Sequence, residues 1–121
     1  MDRRQRGQAG EDAAARYLIS EGWIILGRNV RVGRGELDVI AMRGTVFAFV
    51  EVKCRRSLEF GHPLEAITPA KQAEIAKAAR RWLTDHTLPP GMTIRFDAVA
   101  VRWPDDGPPE LVHVPDAWRL E

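Results

Sequence analysis

At 121 residues with 45% hydrophobic content, the chain is sized for a single compact domain burying about two-thirds of its unfolded surface. Its 18 basic and 17 acidic side chains leave a formal net charge of +1, which excludes attraction to nucleic acid by bulk charge and leaves any such contact to local basic clusters. Cys54 is the one cysteine, which excludes an internal disulfide and a cysteine-based zinc site, and no apolar run reaches signal-peptide or bilayer-spanning length. A cytoplasmic protein without a membrane partner is the expectation.

Residues 8–21 place Ala14, Ala15 and Leu18 on one helical stripe, flanked by Ala13 and Tyr17, with Gly22 as the stop. Arg3, Arg4 and Arg6 precede that helix as a flexible basic arm over residues 1–6. Trp23 to Val32 reads as a strand, punctuated by Gly33 and Gly35. Leu37–Ala41 and Val46–Cys54 are two β-rich runs around MRGT, so a hairpin is the economical reading. RRSLEFGHPLEAI shows no sustained period and reads as a loop or short extension. A second helix opens at Thr68-Pro69, a cap followed by a first-turn proline, and runs to about Thr84 with Ile75, Ala79, Trp82 and Leu83 on its apolar side. After LPPG, MTIRFDAVAVRW is apolar on both faces and reads as a covered central strand. PDDGPP then turns the chain into a short edge strand, ELVHV, and a peripheral tail over residues 104–121. The order α-β-β-β-α-β-β predicts an α/β domain, a mixed sheet flanked by helices.

Four charges interrupt the apolar hairpin: Glu36, Asp38, Glu51 and Lys53. In strands, side chains alternate faces, so Glu36, Asp38, Ile40 and Met42 share one face, as do Phe47, Phe49, Glu51 and Lys53 of the next strand. Directly opposed residues of an antiparallel pair point the same way, and their numbers have a constant sum. A two-residue loop at Arg43-Gly44 gives a sum of 87 and a four-residue loop through Val46 gives 89; both are odd, as is the sum for Asp38 and Glu51. Any even loop therefore puts Asp38 and Glu51 on one face, opposed or diagonal, whereas a three-residue loop without a bulge separates them.

Two carboxylates on a largely apolar face repel each other and lose hydration, which raises their pKa values and costs stability. Lys53 alone does not balance them if Glu36 joins as an auxiliary third, whereas a divalent cation with carboxylate, carbonyl and water ligands does. The hard-oxygen set favours Mg²⁺ or Mn²⁺ over zinc, because His62, His86 and His113 form no ligand-spaced pair. Glu11 lies on the inward stripe of the first helix and reaches the site only if that helix packs across the same sheet face. Alternatives stand beside these roles: a solvated helix-terminal Glu11, a Glu36 salt bridge to Arg34 or Arg31, and an exposed Glu51 ion pair with Lys53 or Arg55. Asp97 reads as a buried partner for an arginine, and Cys54, facing away from Glu51, as packing.

Asp38 followed by Glu51-Val52-Lys53 resembles the signature of the PD-(D/E)XK nucleases, whose fold is called restriction-endonuclease-like. More closely, GELDVIA, FVEVKCRR, GEDAAARYL, Glu65-Ala66 and RFDAVAV resemble the YraN-like family of small bacterial proteins, itself similar to archaeal Holliday junction resolvases; the likeness runs from Gly7 to Val101. The resemblance implies Asp38 and Glu51 as metal ligands with the Val52 carbonyl, Lys53 positioning or activating water, and Glu11 as an added ligand, giving Asp38, Glu51 and Lys53 catalytic roles. It implies a Mg²⁺- or Mn²⁺-dependent endonuclease on nucleic acid, with branched DNA as preferred substrate and a homodimer suited to two symmetric strands. The usual proline before the aspartate is replaced by Leu37, and the Gln-x-x-x-Tyr pattern of RecB-like relatives is absent, since Ala76 follows Gln72. Arg55, Arg56, Lys71, Arg3, Arg4 and Arg6 are the candidate phosphate contacts. The alternative is a nucleic-acid-binding or scaffolding module that keeps the fold without efficient catalysis.

Overall fold

In the computed structural model, residues 1–57 and 63–119 are described; His62 and the rest of segment 58–62 lie outside them. Helix α1 spans Arg3–Ser20, five residues earlier than the apolar stripe alone predicts. The cause is a capping box: Asp2 Oδ1 accepts from the Gln5 N–H at 2.8 Å and Gln5 Oε1 accepts from the Asp2 N–H at 2.9 Å. Two otherwise orphaned amides are satisfied, so Arg3, Arg4 and Arg6 sit on helical turns instead of a flexible arm.

Strands β1 (Ile24–Val32), β2 (Gly35–Arg43) and β3 (Val46–Arg55) form an antiparallel meander. A 3-10 turn at Pro63–Ala66 leads into α2 (Pro69–Thr84), whose cap is Thr68, with its hydroxyl accepting from the Lys71 N–H at 3.2 Å. Helix α2 is the crossover that lets β4 (Thr93–Arg102) pair parallel with β3, and β5 (Glu110–Val114) closes the edge antiparallel to β4. The sheet order is β1-β2-β3-β4-β5, an α/β mixed sheet in the expected element order. No helix among the described residues is long and apolar enough to cross a membrane.

Strand alternation sorts the core into two layers. Ala14 and Leu18 of α1 cover Val39, Ala41, Ala48, Val50, Val52, Val99 and Val101 on one face. Ile75, Ala78 and Ala79 of α2 cover Ile40, Phe47, Phe49 and Ala98 on the other. Both faces of β3 are therefore buried, the usual condition of a strand with a parallel neighbour. Gly10 lets α1 approach closely: a Cβ there would stand 2.7 Å from Cys54 Cβ. Cys54 thus packs beneath α1, as its alternation predicts, and burial pushes its thiol pKa up.

Candidate active site

The hairpin pairs Arg43 with Val46 and Val39 with Val50, so opposed residue numbers sum to 89. The turn has two residues, Gly44-Thr45, one position later than the Arg43-Gly44 loop considered from sequence. Gly44 takes a φ of 58°, which glycine adopts without strain. Its even length preserves the parity, and Asp38 and Glu51 fall level with each other on one face.

Beyond Val39 and Val50 the β2–β3 ladder stops, although neither strand does. Strand β2 continues to Gly35 against β1, and β3 continues to Arg55 against β4. The sheet therefore forks, and Asp38 stands at the branch point. Its Oδ2 accepts from the Val52 N–H at 2.9 Å, replacing the ladder partner that β3 has lost. A short acidic side chain fits here because the opening amide needs an acceptor, and a carboxylate makes the stronger bond.

Glu51 is only 3% exposed. Burial, then the Asp38 charge and a side-chain hydrogen bond with Asp38, push its pKa up to about 9 against the opposing pull of Lys53 and Lys71. Glu51 is thus held toward its neutral form beside Asp38 at neutral pH. A buried carboxyl beside a second acid favours a proton or another positive charge there. The simple Glu51 ion pair with Lys53 or Arg55 is not formed among the described residues. Lys53 is half-buried two residues along the same strand face, and Lys71 approaches from the first turn of α2.

Helix α1 lies on the opposite sheet face, which corrects the condition set for Glu11. Glu11 still feels the Asp38 charge because it acts at the fork, where the sheet is open. Burial and Asp38 raise the Glu11 pKa, Asn29 lowers it, and Glu36 and Arg28 add smaller effects of opposite sign. With its amide nitrogen turned toward the acids, Asn29 donates to Glu11 Oε2 at 3.0 Å and to Glu36 Oε1 at 3.2 Å. Asn29 has a φ of 50° within β1, a left-handed conformation that asparagine tolerates better than most residues. Glu36 forms no salt bridge to Arg31 or Arg34 among the described residues; Asn29 takes that place. Asn29 was not legible in the sequence, where its only signal was a turn-favouring residue inside an otherwise β-rich run. Among the described residues, no three His, Cys, Asp or Glu side chains stand close enough to enclose a metal ion.

The basic candidates divide. Arg3, Arg4, Arg55 and Arg56 are exposed, and Lys71 is half-buried beside the acids with Glu74 at 3.9 Å. Arg6 is committed elsewhere: its guanidinium pairs with Asp105 and donates to the Trp103 carbonyl at 3.3 Å. Arg56 reaches the same Asp105 at 3.6 Å while remaining exposed. Asp97 has the expected structural role, fully buried with Arg95 bound at 2.8 and 2.9 Å, His113 Nε2 at 2.8 Å and the Asp116 N–H at 2.9 Å. Burial alone would raise its pKa, but those hydrogen bonds outweigh it and hold the carboxyl at about 2.

The chain is similar to known proteins over nearly its whole length. A UPF0102 protein of Trichlorobacter lovleyi is 44% identical over 94% of this chain and 90% of its own, and one of Leifsonia xyli subsp. xyli is 41% identical over 90% and 92%. A UPF0102 protein of Chlorobaculum parvum reaches 48% identity over 78% of this chain and 73% of its own. Among solved structures, Pyrococcus furiosus SfsA in complex with Ca²⁺ matches 94% of this chain at 17% identity and a TM-score of 0.34, with this chain spanning 64% of its length. The family model described as "Uncharacterised protein family UPF0102" matches residues 10–101, and the chain belongs to that family.

Proposed function

We propose that this chain is a divalent-metal-dependent endonuclease of the restriction-endonuclease-like type, hydrolysing phosphodiester bonds in branched DNA. The observation that carries this reading is the fork between β2 and β3, where Asp38 accepts from the Val52 N–H and the buried Glu51 stands beside it on the same face as Lys53. A carboxyl buried beside a second acid, at a cost to stability, makes sense when a positive charge meets it during function.

The donor set fits Mg²⁺ or Mn²⁺. Asp38, Glu51 and the Val52 carbonyl would hold the ion, with water completing the shell, since magnesium commonly takes one or two carboxylates and keeps several waters. When bound, the ion supplies Lewis-acid charge at a phosphoryl oxygen. Glu51 must lose its proton for this arrangement, and Asp38 keeps the Val52 N–H engaged so that the fork does not collapse. The Lys53 ammonium, on the Glu51 side, positions the attacking water or neutralises the phosphate. Glu11 and Glu36, yoked through Asn29, line the outer side of the fork and join through water. In this reading Arg55, Arg56 and Lys71, with Arg3 and Arg4, make the phosphate contacts.

A nucleic-acid-binding module without efficient catalysis is the second reading, favoured by the lack of a three-side-chain metal cage among the described residues. The decisive experiment incubates labelled linear, flapped and four-way DNA with Mn²⁺ or Mg²⁺, with Mn²⁺ affinity measured by calorimetry. Cleavage abolished by Glu51→Gln together with lost metal binding supports the enzyme. DNA binding with neither metal affinity nor cleavage supports the module and refutes the enzyme.

A further inference from the structure

A second charged feature lies beside the fork. The β1–β2 hairpin and α2 enclose a groove of about 940 Å³, whose charged lining includes Arg31, Arg34, Lys77 and Arg81 against Glu74 and Asp85. Both acids already have basic neighbours: Glu74 has Lys71 at 3.9 Å and Asp85 has Arg81 at 3.6 Å. Arg31, Arg34 and Lys77 form no ion pair among the described residues. In a chain with net charge +1, four cations against two engaged acids is a local excess that bulk composition does not explain.

The walls are held in place. Gly35 has no side chain, and a Cβ there would stand 3.2 Å from Ala78 Cβ, so the hairpin packs directly onto α2. Gly33 turns the hairpin with a φ of 59° and leaves Arg31 and Arg34 exposed at its tip. At the far end, His86 stacks on Trp82 with ring centroids 3.9 Å apart and planes inclined by 7°. His86 is exposed, whereas Trp82 is anchored among Phe47 and Phe49.

Each wall of the groove leads toward the carboxylates. On the hairpin, Arg31 lies directly opposite Glu36, the acid that Asn29 ties to Glu11. On the helix, Lys71, whose charge acts on Glu51, begins a side that continues through Glu74, Lys77 and Arg81 at helical spacing. From Lys71 to Arg81 the helix rises about 15 Å, comparable to about four nucleotides at ~3.4 Å each along one strand. A track of cations ending on a stacked aromatic pair is the chemistry that recognises a nucleic-acid strand: backbone charge along its length and a ring face at its end.

We infer that this groove carries the strand leading away from the fork, with Arg31, Arg34, Lys77 and Arg81 contacting its phosphates and His86 offering its outer face to a base. The inference rests on the nucleic-acid reading of the carboxylate site and adds which surface holds the substrate. The test compares the wild-type chain with Arg31→Ala/Lys77→Ala/Arg81→Ala, and with Arg16→Ala/Arg119→Ala as a charge control outside the groove. Binding to fluorescent single-stranded and four-way DNA is measured in EDTA across a salt series, and turnover of the small diester bis(p-nitrophenyl) phosphate is measured with Mn²⁺. The groove variant is expected to bind DNA at least tenfold more weakly, with its log–log salt slope reduced by about 2–3, since each lost phosphate contact removes ~0.7–0.9. Its melting temperature and small-diester turnover stay those of the wild type. If the wild type binds DNA and the groove variant binds equally well, the groove inference is overturned while the carboxylate reading stands. If the wild type binds no DNA, both fall.

Discussion

Glu51→Gln is the substitution whose consequence the structure defines best. With its pKa raised to about 9 from 4.5, Glu51 binds a proton in the folded state across a pH range where the unfolded chain has released it. A raised acid pKa makes stability greatest below the unfolded value and removes it as pH rises toward the folded value. The slope is about 1.4 kcal/mol per pH unit, so this group alone takes about 4 kcal/mol from the metal-free protein between pH 5 and pH 8. At ~2.1 cal/mol/K per residue, that loss corresponds to a fall of about 15 °C in Tm for a chain of this length. Glutamine keeps the shape of the neutral acid and donates to Asp38 at every pH, so the variant loses this slope and is the more stable protein at pH 8. Thermal melts in EDTA from pH 5 to pH 8 read this directly. Saturating Mn²⁺ at pH 8 should then restore the wild type by about 10 °C when present at ~100 times its Kd, and leave the variant unmoved. Parallel pH profiles for the two proteins would refute the raised Glu51 pKa, and equal Mn²⁺ stabilisation would remove Glu51 from the proposed metal site.

Other consequences are as direct. Asp38→Ala strips the acceptor from the Val52 N–H and is expected to cost about 1–3 kcal/mol in denaturant unfolding, in addition to abolishing cleavage. Lys53→Ala should retain Mn²⁺ affinity by calorimetry while losing turnover, which separates metal holding from water positioning. Gly10→Ala drives a methyl into Cys54 and is expected to lower stability by about 1–3 kcal/mol, read by thermal unfolding. Asp97→Asn breaks a fully buried network and should cost about 3–5 kcal/mol. Because the folded carboxyl is held at about 2, its contribution is complete above about pH 4 and disappears as pH falls to about 2. The acid limb of the stability profile should therefore flatten in that variant.

Much of the fold was legible because its signals are local. The Thr68-Pro69 cap, the apolar stripe of α2 and the period-two alternation of β2 and β3 each depend on nearby residues, and each element forms where those residues place it. Parity carried this further: any even turn puts Asp38 and Glu51 on one face, and the Gly44-Thr45 turn sets them level. The start of α1 was missed because a polar capping box, and not hydrophobic periodicity, carries the helix back to Arg3. With that helix, Arg6 is brought to Asp105 across a gap of 99 residues, a pairing no local pattern announces.

The sequence by itself determined the order of elements, the faces of the strands and the three charges on which the proposed chemistry rests. Tertiary structure decided that α1 covers the face opposite Glu51 and that β2 and β3 part after Val39 and Val50. It also decided that Asn29 joins Glu11 to Glu36, and that the hairpin cations meet those of α2. The physical reason is the same in each case. Alternation fixes where a side chain points relative to its own strand, whereas a fork, a helix approach or a groove depends on packing between segments far apart in the chain.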